Sequence, residues 1–468
     1  MKTKRTILTI LLSFLAGGVL TFGGLFLYLR PFMVQNHDDR QNIAKIATVY
    51  RQIDHNYYRK VNGDKLTTGA INGMLGTLGD PFSDYLSGSD ATSLNNTIAG
   101  SFSGVGIQVA KHGEYIQIMS TIKGTPAQKA GLKAGDKIAA VNHKSLKNKP
   151  ISDAVDQMRG KNGTEVSLTI IRGNNTFEQK LKRAKIPVTT VNSKMIKDTK
   201  VGYISISTVS QNTAAELKDS LKELQKDGAK SLVIDVRNNP GGLMDQALKM
   251  SSMFLKNGKT IMQVQSRGSD PEVFKASEKL DGGYKVKIPT AVLINGESAS
   301  AAEIFAAALH QSADIPLVGS QSYGKGTVQN MADYGSGSEL KLTIARWLTP
   351  DGSWINKKGI TPTYKADYPK MAYLPPFSEH EYKKGAINNE IKNYGVALHD
   401  LGYLDDQPTS EYNDKLVKAV SDFQKQKSLS QTGNIDHKTT AKIEASVIKQ
   451  LAKKDPALNK ATKIMEEK

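Results

Sequence analysis

IDVRNNPGG, residues 234–242, decides the reading of this 468-residue chain. The apolar run SLVIDVR (231–237) gives way at once to two asparagines, a proline and two glycines. A short continuous apolar segment closed by such residues is what a buried strand entering a tight loop requires. VGYISIS (201–207), TAVLIN (290–295) and IPLVGS (315–320) are segments of the same kind, and helical stretches at 212–226, 243–255 and 300–311 lie between them. Alternating strands and helices predict a sheet that is largely parallel and covered on both faces. Ligands of open α/β sheets collect beyond the carboxyl ends of the strands. NNPGG, NGESAS and GSQSYGKG all stand at such ends.

Together the three loops supply a hydroxyl, a lysine and glycine backbone. NGESASAAEI (295–304) offers Ser300, and SYGKGTVQ (322–329) offers Lys325 between two glycines, followed by Gln329. A serine hydroxyl is a poor nucleophile until a base removes its proton. Lysine can act as that base only where a dry pocket disfavours its charged form, because its free pKa lies near ~10.4. Acyl transfer also needs N–H donors aimed at the tetrahedral oxygen. Ala301, the residue after the hydroxyl at a helix start, is one candidate, and Gly241 or Gly242 is the other, since glycine allows close backbone approach. The sequence does not choose between the two glycines.

Each loop alone has a plainer explanation. Ser300-Ala-Ala-Glu303 before an apolar stretch is a capping box. The glycines could merely turn a strand into a helix, with Asp235 and Arg237 as structural ion-pairing residues. GSQSYGK (319–325) matches seven positions of a phosphate loop, but Gly326 stands where a Ser or Thr is required and a strand-like TVQNMADY follows. His310, ten residues beyond Ser300 on the same helix, lies about 15 Å along it, too far to serve as a direct base. Ser298 is a second hydroxyl within reach. The joint occurrence of all three loops favours a Ser/Lys hydrolase.

Upstream, GTPAQKAGLKAGDKIAAVN (124–142), ISDAVDQMRG and TEVSLTIIRG alternate short helix, turn and strand. This resembles a PDZ domain of the bacterial type, with its GLxxGDxI pattern at Gly131-Leu132 and Gly135-Asp136-Lys137-Ile138. PDZ domains add a chain end as a strand to a sheet edge and receive its carboxylate on backbone N–H groups. The resemblance implies that Gly104, Val105, Gly106 and Ile107 form that loop, with Arg159 a candidate sensor of an occupied groove. Downstream, LGYL, AVSDFQKQKSL and GNIDHKTTAKI resemble a three-helix peptidoglycan-binding module.

The three loops in this order, behind LGDPFSDYL (78–86) and the PDZ pattern, resemble the C-terminal processing peptidases, also called tail-specific proteases. That resemblance implies Ser300 as nucleophile, Lys325 as general base and Gln329 as the residue that positions the lysine. The family's GSASASE reads ESASAAE here, with Glu297 for a glycine and Ala302 for a serine. Neither change touches Ser300.

The amino end and the charge bear on location. Lys2, Lys4 and Arg5 precede an apolar run from Ile7 to Leu29 that Arg30 closes. About 20 residues suffice to cross a membrane as a helix, and the positive-inside rule would leave the rest of the chain outside the cytoplasm. The bulky residues after Leu25 do not form a small-x-small cleavage site. The formal charge of +18 accompanies no nucleic-acid-binding motif and suits an anionic membrane or wall. Without cysteine, disulfides, thiol catalysis and lipoprotein attachment are excluded.

The expected architecture is a multidomain α+β chain. It comprises a cytoplasmic stub and transmembrane helix (1–30), a helical region (31–99), a PDZ domain (100–186), an α/β Ser/Lys peptidase core (187–377) and a small helical peptidoglycan-binding module (388–468). The expected activity is that of a membrane-anchored serine endopeptidase acting on exposed carboxyl ends of extracytoplasmic proteins. Peptidoglycan and membrane are its expected partners, nucleic acid is not, no metal or other cofactor is implied, and a homo-oligomer is left open. The competing readings are a wall-tethered PDZ adaptor without catalysis and a binder of unfolded tails.

Overall fold

The computed structural model describes residues 37–335, 337–378, 380–453 and 455–468. Of these, residues 37–85 fall in one compact unit and those from Leu86 onward in another. The first contains helices α1 (His37–Asn56) and α2 (Gly63–Gly76). Asn62 caps α2 by accepting the Lys65 N–H at 3.0 Å. One expectation is corrected: among the described residues no helix is long and apolar enough to cross a membrane. The run from Ile7 to Leu29, on which the transmembrane helix rested, lies outside the described residues.

In the second unit the PDZ segment is a sheet of strands β1 (Ile107–His112), β2 (Tyr115–Thr121), β3 (Lys137–Val141), β4 (Glu165–Arg172) and β5 (Asn175–Lys182), paired in that order. Helix α3 (Ile151–Met158) packs over it, turning Ala154 and Met158 into a core with Ile116, Ile138 and Leu168. β1 is an edge strand and lies beside α3.

The peptidase core is built as the alternation predicted. Its main sheet runs β6 (Val191–Met195), β7 (Val201–Ile206), β8 (Ser231–Asp235), β11 (Thr290–Ile294), β12 (Leu317–Gly319) and β15 (Tyr364–Lys365). Only β6 is antiparallel to its neighbour. A second, antiparallel sheet contains β9 (Thr260–Ser266), β10 (Glu272–Lys275), β13 (Thr327–Asp333) and β14 (Ser338–Leu348). Every residue of β8 and β11 is buried, as central strands covered on both faces must be.

Alternate residues of these strands face different covers. Leu232, Ile234 and Val292 meet helices α4 (Thr213–Lys226), α5 (Met244–Ser252) and α6 (Ala301–Ala313). Val233, Ala291 and Leu293 meet Ala457, Ala461 and Met465 instead. The three helices of the carboxyl-terminal module, α7 (Asn389–Asp400), α8 (Asp414–Gln426) and α9 (His437–Lys453), enclose a separate core around Tyr394, Tyr412 and Phe423. The last helix, α10 (Pro456–Glu466), leaves that module and lies on the peptidase sheet. That contact is apolar: partly buried Leu458 and Ile464 pack beside the two alanines and the methionine, whose full burial is worth roughly 1.5–3 kcal/mol. Polar contacts at the two ends of α10 add to it: Ser231 Oγ donates to the Met465 carbonyl at 3.1 Å, and Asp455 pairs with Arg237.

Candidate active site

Ser300 stands at the turn between β11 and α6 with φ 55° and ψ −116°, a backbone region that L-residues rarely occupy. It is partly exposed, whereas the helix behind it is buried from Ala301 to Leu309. Ser298 is fully buried, and its hydroxyl donates to the Val236 carbonyl at 2.7 Å while accepting the Asn295 N–H at 3.0 Å. That hydroxyl fastens the loop and is not presented to solvent.

Glu303 organises the centre. Its side chain is fully buried, and its carboxylate accepts four hydrogen bonds. Oε1 receives the Ser322 hydroxyl at 2.6 Å and the Gly324 N–H at 2.7 Å. Oε2 receives the N–H groups of Ser300 at 2.8 Å and Lys325 at 2.9 Å. One oxygen therefore ties the two candidate catalytic residues together through their backbones. Burial pushes the Glu303 carboxyl above its ordinary pKa, while the four donors pull the other way. The capping-box pattern signalled half of this arrangement, since it links Glu303 to Ser300; nothing local signalled the link to Lys325.

The lysine loop is held from its other side by the protein's two tryptophans. Trp347 Nε1 donates to the Lys325 carbonyl and Trp354 Nε1 to the Gly326 carbonyl, both at 2.8 Å. Neither flanking glycine has room for a side chain: a Cβ on Gly324 would lie 2.7 Å from Gly359 N, and one on Gly326 2.7 Å from Trp354 Nε1. After Lys325 the chain enters β13, a strand, so the phosphate-loop alternative loses the helix it needs. Gln329 sits at a register irregularity of β13, and its amide nitrogen donates to Thr327 Oγ1 at 2.9 Å and Thr343 Oγ1 at 3.0 Å. Both amide hydrogens are thereby used, leaving the carbonyl oxygen as the acceptor.

The two glycines separate by environment. Gly241 (φ 95°) abuts the serine: a Cβ there would lie 2.8 Å from Ser300 Cβ and 2.9 Å from Ala301 N. Its own N–H is donated to Asn239 Oδ1 at 2.9 Å. Gly242 is pressed against Val209, whose carbonyl oxygen a Cβ would meet at 2.0 Å. The Gly241 carbonyl accepts the Val209 N–H and the Thr208 hydroxyl. In a trans peptide the following N–H points the opposite way, so that of Gly242 is directed away from Thr208 and Val209. Buried Asn239 keeps the loop in place, donating to the Ile206 carbonyl at 2.8 Å and accepting the Ala299 N–H at 2.9 Å.

In the PDZ segment Val105 and both glycines of the expected loop are buried, and Ile107 opens the edge strand β1. Gly106 (φ 82°) leaves no room for a side chain, since a Cβ would meet Thr125 at 2.3 Å. Arg159 ends α3 and stacks over Phe102 at 5.4 Å. It lines a cavity of about 310 Å³ together with Thr97, Thr208 and Ser210. Thr208 is the residue bonded to Gly241, so Arg159 and the glycine loop border the same region.

Comparison with known proteins settles the family. Residues 200–366 match peptidase family S41. Over 419 residues the chain is 45% identical to the carboxy-terminal processing protease CtpA of Bacillus subtilis (strain 168), covering 89% of each chain. The chain belongs to peptidase family S41. It is accordingly a serine protease of the carboxy-terminal processing type. Residues 31–89 of the peptidase match the activating protease CtpB N-terminal domain, 93–171 a PDZ domain and 388–443 a peptidoglycan binding domain. The peptidase is also 38% identical over 432 residues to a "Probable CtpA-like serine protease" of Staphylococcus aureus (strain MRSA252), covering 92% of its own length and 86% of the relative's. Among solved structures it is similar to a "Photosystem II D1 C-terminal processing protease" at 28% identity and a TM-score of 0.40, covering 69% of this chain and 92% of that one.

Proposed function

We propose that this peptidase cleaves extracytoplasmic proteins near their carboxyl ends with Ser300 as nucleophile and Lys325 as general base. The observation that carries the reading is the Glu303 carboxylate, one oxygen of which holds the backbone of both residues. In this mechanism the neutral Lys325 amine takes the Ser300 proton as Oγ attacks the scissile carbonyl. The oxyanion rests on the N–H of Ala301, which opens α6 where helix N–H groups lack internal partners. Gly242 N–H is the second donor, and Gly241 supplies the clearance. The lysine ammonium then gives its proton to the leaving amine, and as a free amine it activates the water that releases the acyl group. Gln329, its amide hydrogens committed to two threonines, turns its carbonyl oxygen to the ammonium.

Substrate tails add to the open edge of β1 beside α3, with the terminal carboxylate on the backbone N–H groups of the loop from Gly104 to Ile107. Arg159 reports that occupancy toward Thr208 and the glycine loop. The test uses one peptide with an apolar carboxyl end, free or amidated, and a fluorophosphonate probe. Faster cleavage of the free form and a single adduct on Ser300 are expected. An adduct on Ser298, or equal cleavage of the two peptides, would count against the reading.

The module keeps the peptidase at the wall through peptidoglycan. Because α10 covers the peptidase sheet, the module is best removed without it. With residues 388–453 replaced by a flexible linker, sedimentation with purified peptidoglycan should be lost. Cleavage of a free peptide should persist, because the module's core is distinct from that of the peptidase. Retained wall binding would reject the module's role.

A further inference from the structure

We propose that Asp455, at the start of the last helix, is a positioning residue for hydrolysis: it fixes Arg237 and through it the loop beside Ser300. The proposal rests on Ser300 as the nucleophile. Arg237 lies between two carboxylates. Its Nε and Nη2 donate to Asp235 at 2.6–3.1 Å, and its Nη1 and Nη2 donate to Asp455 Oδ1 and Oδ2 at 2.8 and 2.6 Å. Fork-to-fork pairing of this kind fixes direction as well as distance. The Arg237 side chain is 11% exposed and that of Asp455 24%.

Asp235 alone would leave Nη1 without its partner, and there is room for the guanidinium to swing. A cavity of about 660 Å³ opens beside it, lined by Tyr203, Asn238, Asn295 and Leu451 among others. Asn238, the next residue, has φ 56° and exchanges hydrogen bonds with Asn295 at 2.7 and 2.9 Å. Asn239 then carries Gly241 and Ala299, the residue before the nucleophile. Three successive residues thus connect the start of α10 to the catalytic turn. Asp455 also caps α10 by accepting the Leu458 N–H at 2.9 Å. Asparagine is as good a cap, so Asp455→Asn keeps the helix start while removing the charge and one acceptor.

The experiment compares the full chain with Asp455→Asn, Asp455→Glu and Met465→Ala, measuring kcat and KM on a peptide with a free apolar end, the rate of fluorophosphonate labelling and thermal unfolding. Asp455→Asn is expected to lower kcat and labelling rate together, by about tenfold, with KM within twofold, the pattern of an interaction that matters in the transition state. Asp455→Glu should recover most of the loss. Met465→Ala weakens the far end of the same helix and should lower the unfolding temperature while leaving kcat unchanged at a temperature well below it. An unchanged kcat in Asp455→Asn overturns the proposal, as does an equal fall in Met465→Ala. Failure of the wild type to label at Ser300 would instead refute the nucleophile assignment.

Discussion

Ser300→Ala is expected to reduce peptide hydrolysis by about 10⁶-fold, the scale on which removal of a nucleophile from a cooperating unit is felt. Lys325→Ala should be comparably inactive, and so should Lys325→Arg. The last comparison separates a base from a charge, because a guanidinium keeps the charge but does not deprotonate in a protein. Lys325→Arg with more than about a hundredth of wild-type kcat would mean that charge alone suffices, contrary to the general-base requirement. The backbone at Ser300 adds a second readout. Alanine keeps the unfavourable φ of 55°, so its stability should stay close to that of the wild type. Glycine relieves strain worth about 1–3 kcal/mol against an entropic cost of about 0.5–1 kcal/mol. Ser300→Gly should therefore be inactive yet up to about 2 kcal/mol more stable to urea. A less stable glycine variant would show that the turn is not strained.

The sheet and its three loops were legible because their signals are local. Continuous apolar runs such as SLVID and TAVLI end in glycine, asparagine or serine, and both became fully buried strands. The same reading could not choose between Gly241 and Gly242, because the difference lies in what each glycine faces: Ser300 for one, Val209 for the other. It assigned α10 to the wall-binding module. An amphipathic stretch shows that one face will be buried but not against what, and the partner of Asp455 is 218 residues away. The tryptophans that hold the lysine loop and the second arm of Glu303 were hidden for the same reason. These contacts join segments whose separate patterns are complete without them.

Glu303 is where the site should be most sensitive to a change that touches neither catalytic side chain. Glu303→Ala leaves the N–H groups of Ser300, Gly324 and Lys325 without their acceptor. At about 1–3 kcal/mol for each orphaned buried donor, the loss of roughly 3–9 kcal/mol rivals the ~5–15 kcal/mol by which a domain is stable. Inactive and poorly folded protein is the expected result. Glu303→Gln is gentler and more informative. Its amide can turn NH₂ toward Ser322, whose hydroxyl rotates to accept, while the carbonyl oxygen keeps Ser300 and Lys325. Gly324 N–H then lacks an acceptor and the buried Ser322 hydroxyl hydrogen loses its own, costing about 1–3 kcal/mol each. Small misplacements of a reacting group can cost about 10²-fold, so kcat should fall by about 10–100-fold with KM little changed. The raised pKa of the native carboxyl fixes a sign as well. The folded state holds this proton more tightly than the unfolded one, so that contribution to stability is full below the unfolded pKa and is lost as pH rises through the folded pKa. In urea titrations, the stability of the wild type relative to Glu303→Gln should rise as pH is lowered from neutral toward the ordinary glutamate range. A difference that is flat across that window, or that shrinks with acid, would mean that the four donors outweigh burial and that the carboxylate rests there at no electrostatic cost.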